Sequence, residues 1–76
     1  MNDIVLAVDL GGTNMRMAAI NRDGDILHHT KSGTPKQVSP VQLTALIGAM
    51  ADECRDAIPS DGRLVGISFE IGRAHV

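Results

Sequence analysis

The apolar positions of this chain change their period several times, and each change marks an element. Residues Ile4 to Val8 are apolar without interruption, the pattern of a central strand covered on both faces. From Asn14 to Asn21 the pattern alternates, with Met15, Met17 and Ala19 on one face and Arg16, Ala18 and Ile20 on the other. Arg22-Asp23-Gly24-Asp25 reads as a turn, and a less regular strand is predicted from Asp25 to Lys31. Its neighbours His28 and His29 point to opposite faces, so they cannot converge on one metal and are expected as surface histidines. Gly33 to Val38 reads as a polar loop. Ser39-Pro40-Val41-Gln42 has the chemistry of a helix start: a serine N-cap, proline at the first helical position, and glutamine placed to complete a capping box. The helix is predicted to run to about Ile58, before Pro59. Leu43, Leu46, Ile47, Met50, Cys54, Ala57 and Ile58 form its apolar stripe, and Asp52, Glu53 and Asp56 a solvated face. Gly48 falls on the exposed side. After a turn at Pro59-Ser60-Asp61-Gly62, a last strand is predicted from Arg63 to Phe69. Hairpins imply antiparallel pairing of the first three strands. The strand that returns after the helix is expected parallel to the first, by a right-handed crossover.

The connection between the first two strands carries the candidate chemistry. Asp9 ends an apolar strand, Gly11 and Gly12 turn the chain, Thr13 and Asn14 offer a hydroxyl and an amide, and Arg16 leaves on the next strand. Glycines carry no Cβ, so such a turn can present several backbone N–H groups to one point. A concave array of N–H groups is an anion nest, with phosphate its usual occupant. A hard carboxylate beside it suits hydrated Mg²⁺. Two commoner phosphate motifs are excluded. The P-loop needs Lys followed by Ser or Thr where this chain has Thr13-Asn14, and the dinucleotide fingerprint needs three spaced glycines opening a helix. The phosphate would be gripped by a hairpin.

Asp9-Leu10-Gly11-Gly12-Thr13-Asn14-Met15-Arg16 matches D-x-G-G-T-x-x-R, which resembles the first phosphate motif of the actin-like sugar kinases. Within them it is most similar to the ROK family (repressors, open reading frames, kinases), which includes bacterial glucokinases. The similarity runs from about Ile4 to Phe69 and takes in Thr34-Pro35. The resemblance implies an α/β fold, the N-terminal part of an actin-like ATPase domain: a β-hairpin plus third strand, one helix and a fourth strand. It implies ATP-dependent phosphorylation of a hexose, with ATP and Mg²⁺ as cofactors. The N–H groups of Gly11, Gly12 and Thr13 would receive the β- and γ-phosphates, with the Thr13 hydroxyl and Asn14 amide as further donors. Asp9 would orient Mg²⁺ through water. Arg16 would pair with phosphate or with an acidic partner, and a salt bridge pinning the hairpin is the structural alternative. For Asp9 the alternative is a carboxylate capping the glycine turn. The general base, the sugar-contacting motif, the adenosine segment and any zinc site of the family would lie beyond residue 69. A homodimeric, cytoplasmic protein with a sugar as its partner is the corresponding expectation for the complete molecule. Two other readings stand beside it. One is a sugar-responsive ROK transcriptional regulator, a binding protein whose helix-turn-helix would precede the hairpin, where here only Met1, Asn2 and Asp3 do. The other is a non-sugar ATPase of the actin and chaperone type.

Size and charge add limits. A chain of 76 residues buries only about 60% of its unfolded surface. The net charge is −2 with no basic run, so no nucleic-acid footprint or membrane-surface patch is expected. No apolar stretch approaches the ~20 residues of a membrane span. The single cysteine, Cys54, precludes an internal disulfide and reads as a buried small hydrophobe. The segment Ile71 to Val76 looks like one reading frame of a short-read sequencing adapter, which places the end of native coding sequence near Glu70. Residues 1–69 are therefore expected to be the N-terminal fragment of a ROK-like, actin-like ATPase domain and 70–76 an adapter-derived scar that carries no fold information.

Overall fold

The computed structural model describes residues 2–37 and 39–71. The elements follow as β1 (Asn2–Leu10), β2 (Asn14–Asn21), β3 (Ile26–Gly33), α1 (Pro40–Asp56) and β4 (Gly62–Ile71). They make a four-stranded sheet in the order β3-β2-β1-β4. The pairs β1–β2 and β2–β3 are antiparallel, and β1–β4 is parallel. β1 is thus an interior strand, as its unbroken apolar run predicts, and β2 is the other.

One face of the sheet is covered by α1, which packs on β2 and β3. Ile4, Leu6 and Val8 from β1, Met15, Met17 and Ala19 from β2, and Met50 and Cys54 from α1 form the buried core. The alternation in β2 places its side chains as predicted. The reading of β1 as covered on both faces needs correction. Ile4, Leu6 and Val8 are buried, but Val5 and Ala7 on the other face are only half-buried, because no layer lies over that side among the described residues.

The ends of α1 follow from its sequence. Ser39 Oγ accepts the Gln42 N–H at 3.2 Å, and Gln42 Oε1 accepts the Ser39 N–H at 3.0 Å, so the capping box is complete. The helix stops at Asp56, slightly short of Ile58. The Ala57 and Ile58 N–H groups bond three residues back, to Cys54 and Arg55 carbonyls at 3.2 and 3.0 Å. This tightening of the last turn is one way a helix satisfies its final carbonyls, and Pro59 disfavours helical backbone at Ile58. Cys54 is buried, and burial pushes its thiol pKa up.

The β2–β3 turn is fixed by Asn21. Its Oδ1 accepts the N–H groups of Asp23 and Asp25 at 3.0 and 2.9 Å, and its carbonyl accepts that of Gly24 at 3.1 Å. Gly24 takes φ +87°, the left-handed region in which a Cβ is costly. β3 starts and ends later than predicted, at Ile26 and Gly33, since ladder pairing to Met15 and Asn14 holds its polar end. β4 continues past Phe69 to Ile71, in register with Leu10. Residues 72–76, most of the segment read as a scar, lie outside the described residues.

The two histidines take opposite faces, and His28 has a partner. Its Nε2–H donates to Glu53 Oε2 on α1 at 2.7 Å, which corrects the reading of Glu53 as merely solvated. That hydrogen bond first, and one from Thr30 second, hold the Glu53 carboxyl below its ordinary value of 4.5. A carboxyl depressed by folding contributes stability that is fully present above its unfolded pKa and is lost as pH falls through the folded one. We therefore expect acid weakening of the α1–β3 contact only below about pH 4.5, and a shallower acid limb in Glu53→Gln than in wild type. An acid limb identical in the two proteins would remove the pair from this account.

Candidate functional site

The β1–β2 connection sits at the carboxyl end of β1. Asp9 and Arg16 are cross-strand partners, as are Arg16 and Lys31. Their neighbours Val8 and Met17 face the core, so all three lie on the face opposite α1. A hollow of about 220 Å³ opens there, lined among others by Asp9, Arg16, His29 and Ser68. Ligand pockets run from roughly 300 to 1,000 Å³, so this hollow has the size of part of a site. Glu70 stands in register with Asp9 and also lines the hollow.

Asp9 is exposed, and among the described residues its carboxylate makes no hydrogen bond or ion pair. It does not cap the glycine turn. Arg16 is likewise exposed and in no salt bridge among those residues, so the pinned-hairpin alternative is not what the side chain does. A free carboxylate beside open N–H donors is a donor set that fits hydrated Mg²⁺ accompanying phosphate. The described residues hold no cluster of three or more His, Cys, Asp or Glu suited to a metal on protein ligands alone.

The turn itself divides its donors. The Gly11 N–H donates to the Asn14 carbonyl at 2.9 Å, which corrects its assignment as a phosphate donor: it closes the turn. Gly11 is needed for a different reason, because a Cβ there would stand 3.0 Å from the Asn14 oxygen. The N–H groups of Gly12 and Thr13 have no partner among the described residues, and a Cβ at Gly12 would meet nothing within 4 Å. These two amides are the open donors. Asn14 Nδ2 donates to Thr13 Oγ1 at 3.3 Å, so the hydroxyl oxygen is occupied as acceptor and its hydrogen is left to donate outward. Sequence reasoning missed Lys31, which adds a second cation beside Arg16; only the strand register reveals it. It also gave no role to Thr34, which reaches the turn from beyond β3.

The architecture is that of the N-terminal part of an actin-like sugar-kinase fold. Its match to the crystal structure of gluconate kinase from Lactobacillus acidophilus has a TM-score of 0.77 at 16% identity. That match covers 93% of this chain and 16% of that kinase, so the chain spans about a sixth of its neighbour's length. The ROK family model matches residues 5–70, and the chain belongs to the ROK family. No helix among the described residues is long and apolar enough to cross a membrane.

Proposed function

We propose that this chain is the phosphate-gripping N-terminal part of an ATP-dependent, glucokinase-type sugar kinase whose substrate is a hexose. The observation that carries the reading is the pair of N–H groups at Gly12 and Thr13 in the turn between Asp9 and Arg16, none of the four groups having a partner among the described residues. Family membership and the sugar-kinase fold support it. The Gly12 and Thr13 amides and the Thr13 hydroxyl donate to β- and γ-phosphate oxygens, while Arg16 and Lys31 attract the anion to this face. Fixed donors aimed where charge accumulates are the main means of accelerating phosphoryl transfer. Asp9 would hold Mg²⁺ through water, and the ion would neutralise charge on the phosphates. Transfer to a sugar hydroxyl also needs a general base against that hydroxyl. No carboxylate of residues 2–69 is assigned that post, which in this reading belongs to the remainder of the protein, along with the sugar and adenosine contacts and any zinc site. Residues 70–76 are proposed to be a scar, and the complete protein a cytoplasmic homodimer.

The test is ATP turnover by the complete purified protein against a panel of hexoses and N-acetylhexosamines, with and without Mg²⁺. Turnover stimulated by one of these sugars and dependent on Mg²⁺ is expected. Absence of turnover with every sugar, together with sugar-sensitive DNA binding, would replace the kinase with the regulator.

A further inference from the structure

The loop after β3 reaches back to the phosphate turn through one residue. The Thr34 Oγ1–H donates to the Gly11 carbonyl at 2.8 Å, and the Thr34 N–H donates to the Thr13 carbonyl at 2.9 Å. Thr34 is partly buried, and Pro35 restrains its backbone to the extended region. Both its donors are thereby committed to the same short turn.

These contacts decide which way the turn's amides face. In a closed two-residue hairpin the Gly11–Asn14 pair would exchange both bonds. Here Gly11 N–H donates to Asn14, but among the described residues no return bond runs from Asn14 N–H to the Gly11 carbonyl, which the Thr34 hydroxyl takes instead. A peptide group is planar and trans, so its C=O and N–H point in opposite directions. Anchoring the Gly11 oxygen toward Thr34 therefore turns the Gly12 N–H away from β3 and into the open. The turn contains two glycines and no side chain that packs into the core, so little else holds that plane.

We propose that Thr34 is a positioning residue for nucleotide phosphate: its hydroxyl orients the Gly11–Gly12 peptide so that the Gly12 amide is preset as a phosphate donor. The proposal rests on the kinase reading given above and adds a residue outside the D-x-G-G-T-x-x-R stretch. Thr34 touches neither phosphate nor sugar; it acts through the turn.

The experiment uses the complete protein with Thr34→Val, which keeps the shape and removes the hydroxyl, and Thr34→Ser, which keeps the hydroxyl. Mg·ADP affinity, the KM values for ATP and for sugar, and the melting temperature are measured for each. Losing one net hydrogen bond corresponds to about a fivefold to tenfold change. Thr34→Val is expected to weaken Mg·ADP binding and raise the KM for ATP by that factor while the KM for sugar stays put. Thr34→Ser should lie near wild type. If Thr34→Val binds Mg·ADP as wild type does, the positioning role is overturned. It is equally overturned if both KM values rise together with a fall in melting temperature that serine does not rescue, which is what general loosening would do. Wild-type protein that binds no Mg·ADP at all would instead remove the nucleotide reading beneath the proposal, a result separable from either variant's behaviour.

Discussion

Asp9→Ala in the complete protein is expected to cut Mg²⁺-dependent ATP turnover by at least about a hundredfold, since a correctly held metal supplies several kcal/mol of transition-state stabilisation. The fold should hardly notice. Asp9 is exposed, at the end of β1, and makes no hydrogen bond or ion pair among the described residues, and such surface positions usually move stability by no more than about 0.5 kcal/mol. This separation of activity from stability is what distinguishes a ligand-directed carboxylate from a structural one. Asp9→Asn sharpens the test because it keeps the volume and loses the charge, so it should fall nearly as far as alanine and require more Mg²⁺ for half-maximal rate. Turnover that survives Asp9→Ala unchanged would take Asp9 out of the mechanism and leave the open amides without their metal.

Local chemistry was legible along this chain, and contacts between distant segments were not. The β2 alternation put Met15, Met17 and Ala19 on one face, the face that the structure buries, and Ser39 with Gln42 marked the helix start that the structure contains. Those signals depend on neighbours within one turn or one strand. The D-x-G-G-T-x-x-R stretch likewise announced a hairpin with its carboxylate at the strand end. The share of each amide was hidden, because the Gly11 bond to Asn14 depends on the dihedral angles of the turn. His28 and Glu53 are 25 positions apart and meet only because α1 crosses the β3 side of the sheet. Thr34 and Gly11 are 23 apart and meet only because β3 pairs with β2 in a particular register. Periodicity can assign Glu53 to an outward helix face, but it cannot say that a histidine on another element is waiting there. The one apolar pattern that misled was β1. An unbroken run such as Ile4 to Val8 specifies two apolar faces, and within these residues only the α1 side is covered.

Apolar surface left without a layer at the β4 end of the sheet governs how the 76-residue chain will behave when expressed alone. Its Cα radius of gyration is 13.1 Å, against about 11 Å for a compact domain of this length. The accessible surface is 5490 Å², where a folded monomer of this mass would expose about 4,500 Å². Several large apolar side chains stand exposed on β4: Val65, Ile67 and Phe69 are 47%, 52% and 54% exposed. By register Ile67 and Phe69 share the face of Leu6 and Val8, yet α1 covers the β2 and β3 end of that face, leaving them without a layer. β4 is also an edge strand, with one row of backbone donors and acceptors unpaired, which invites association with other chains. With this apolar surface left uncovered, burial is expected to fall short of the entropy of ordering the chain. The isolated polypeptide is expected to bind a hydrophobic dye such as ANS, to melt without a cooperative transition, and to turn over no ATP with any sugar. A monomer that unfolds in a single sharp transition and phosphorylates a sugar would show that α1 and these strands suffice, and would overturn both this expectation and the assignment of the base to the remainder of the protein.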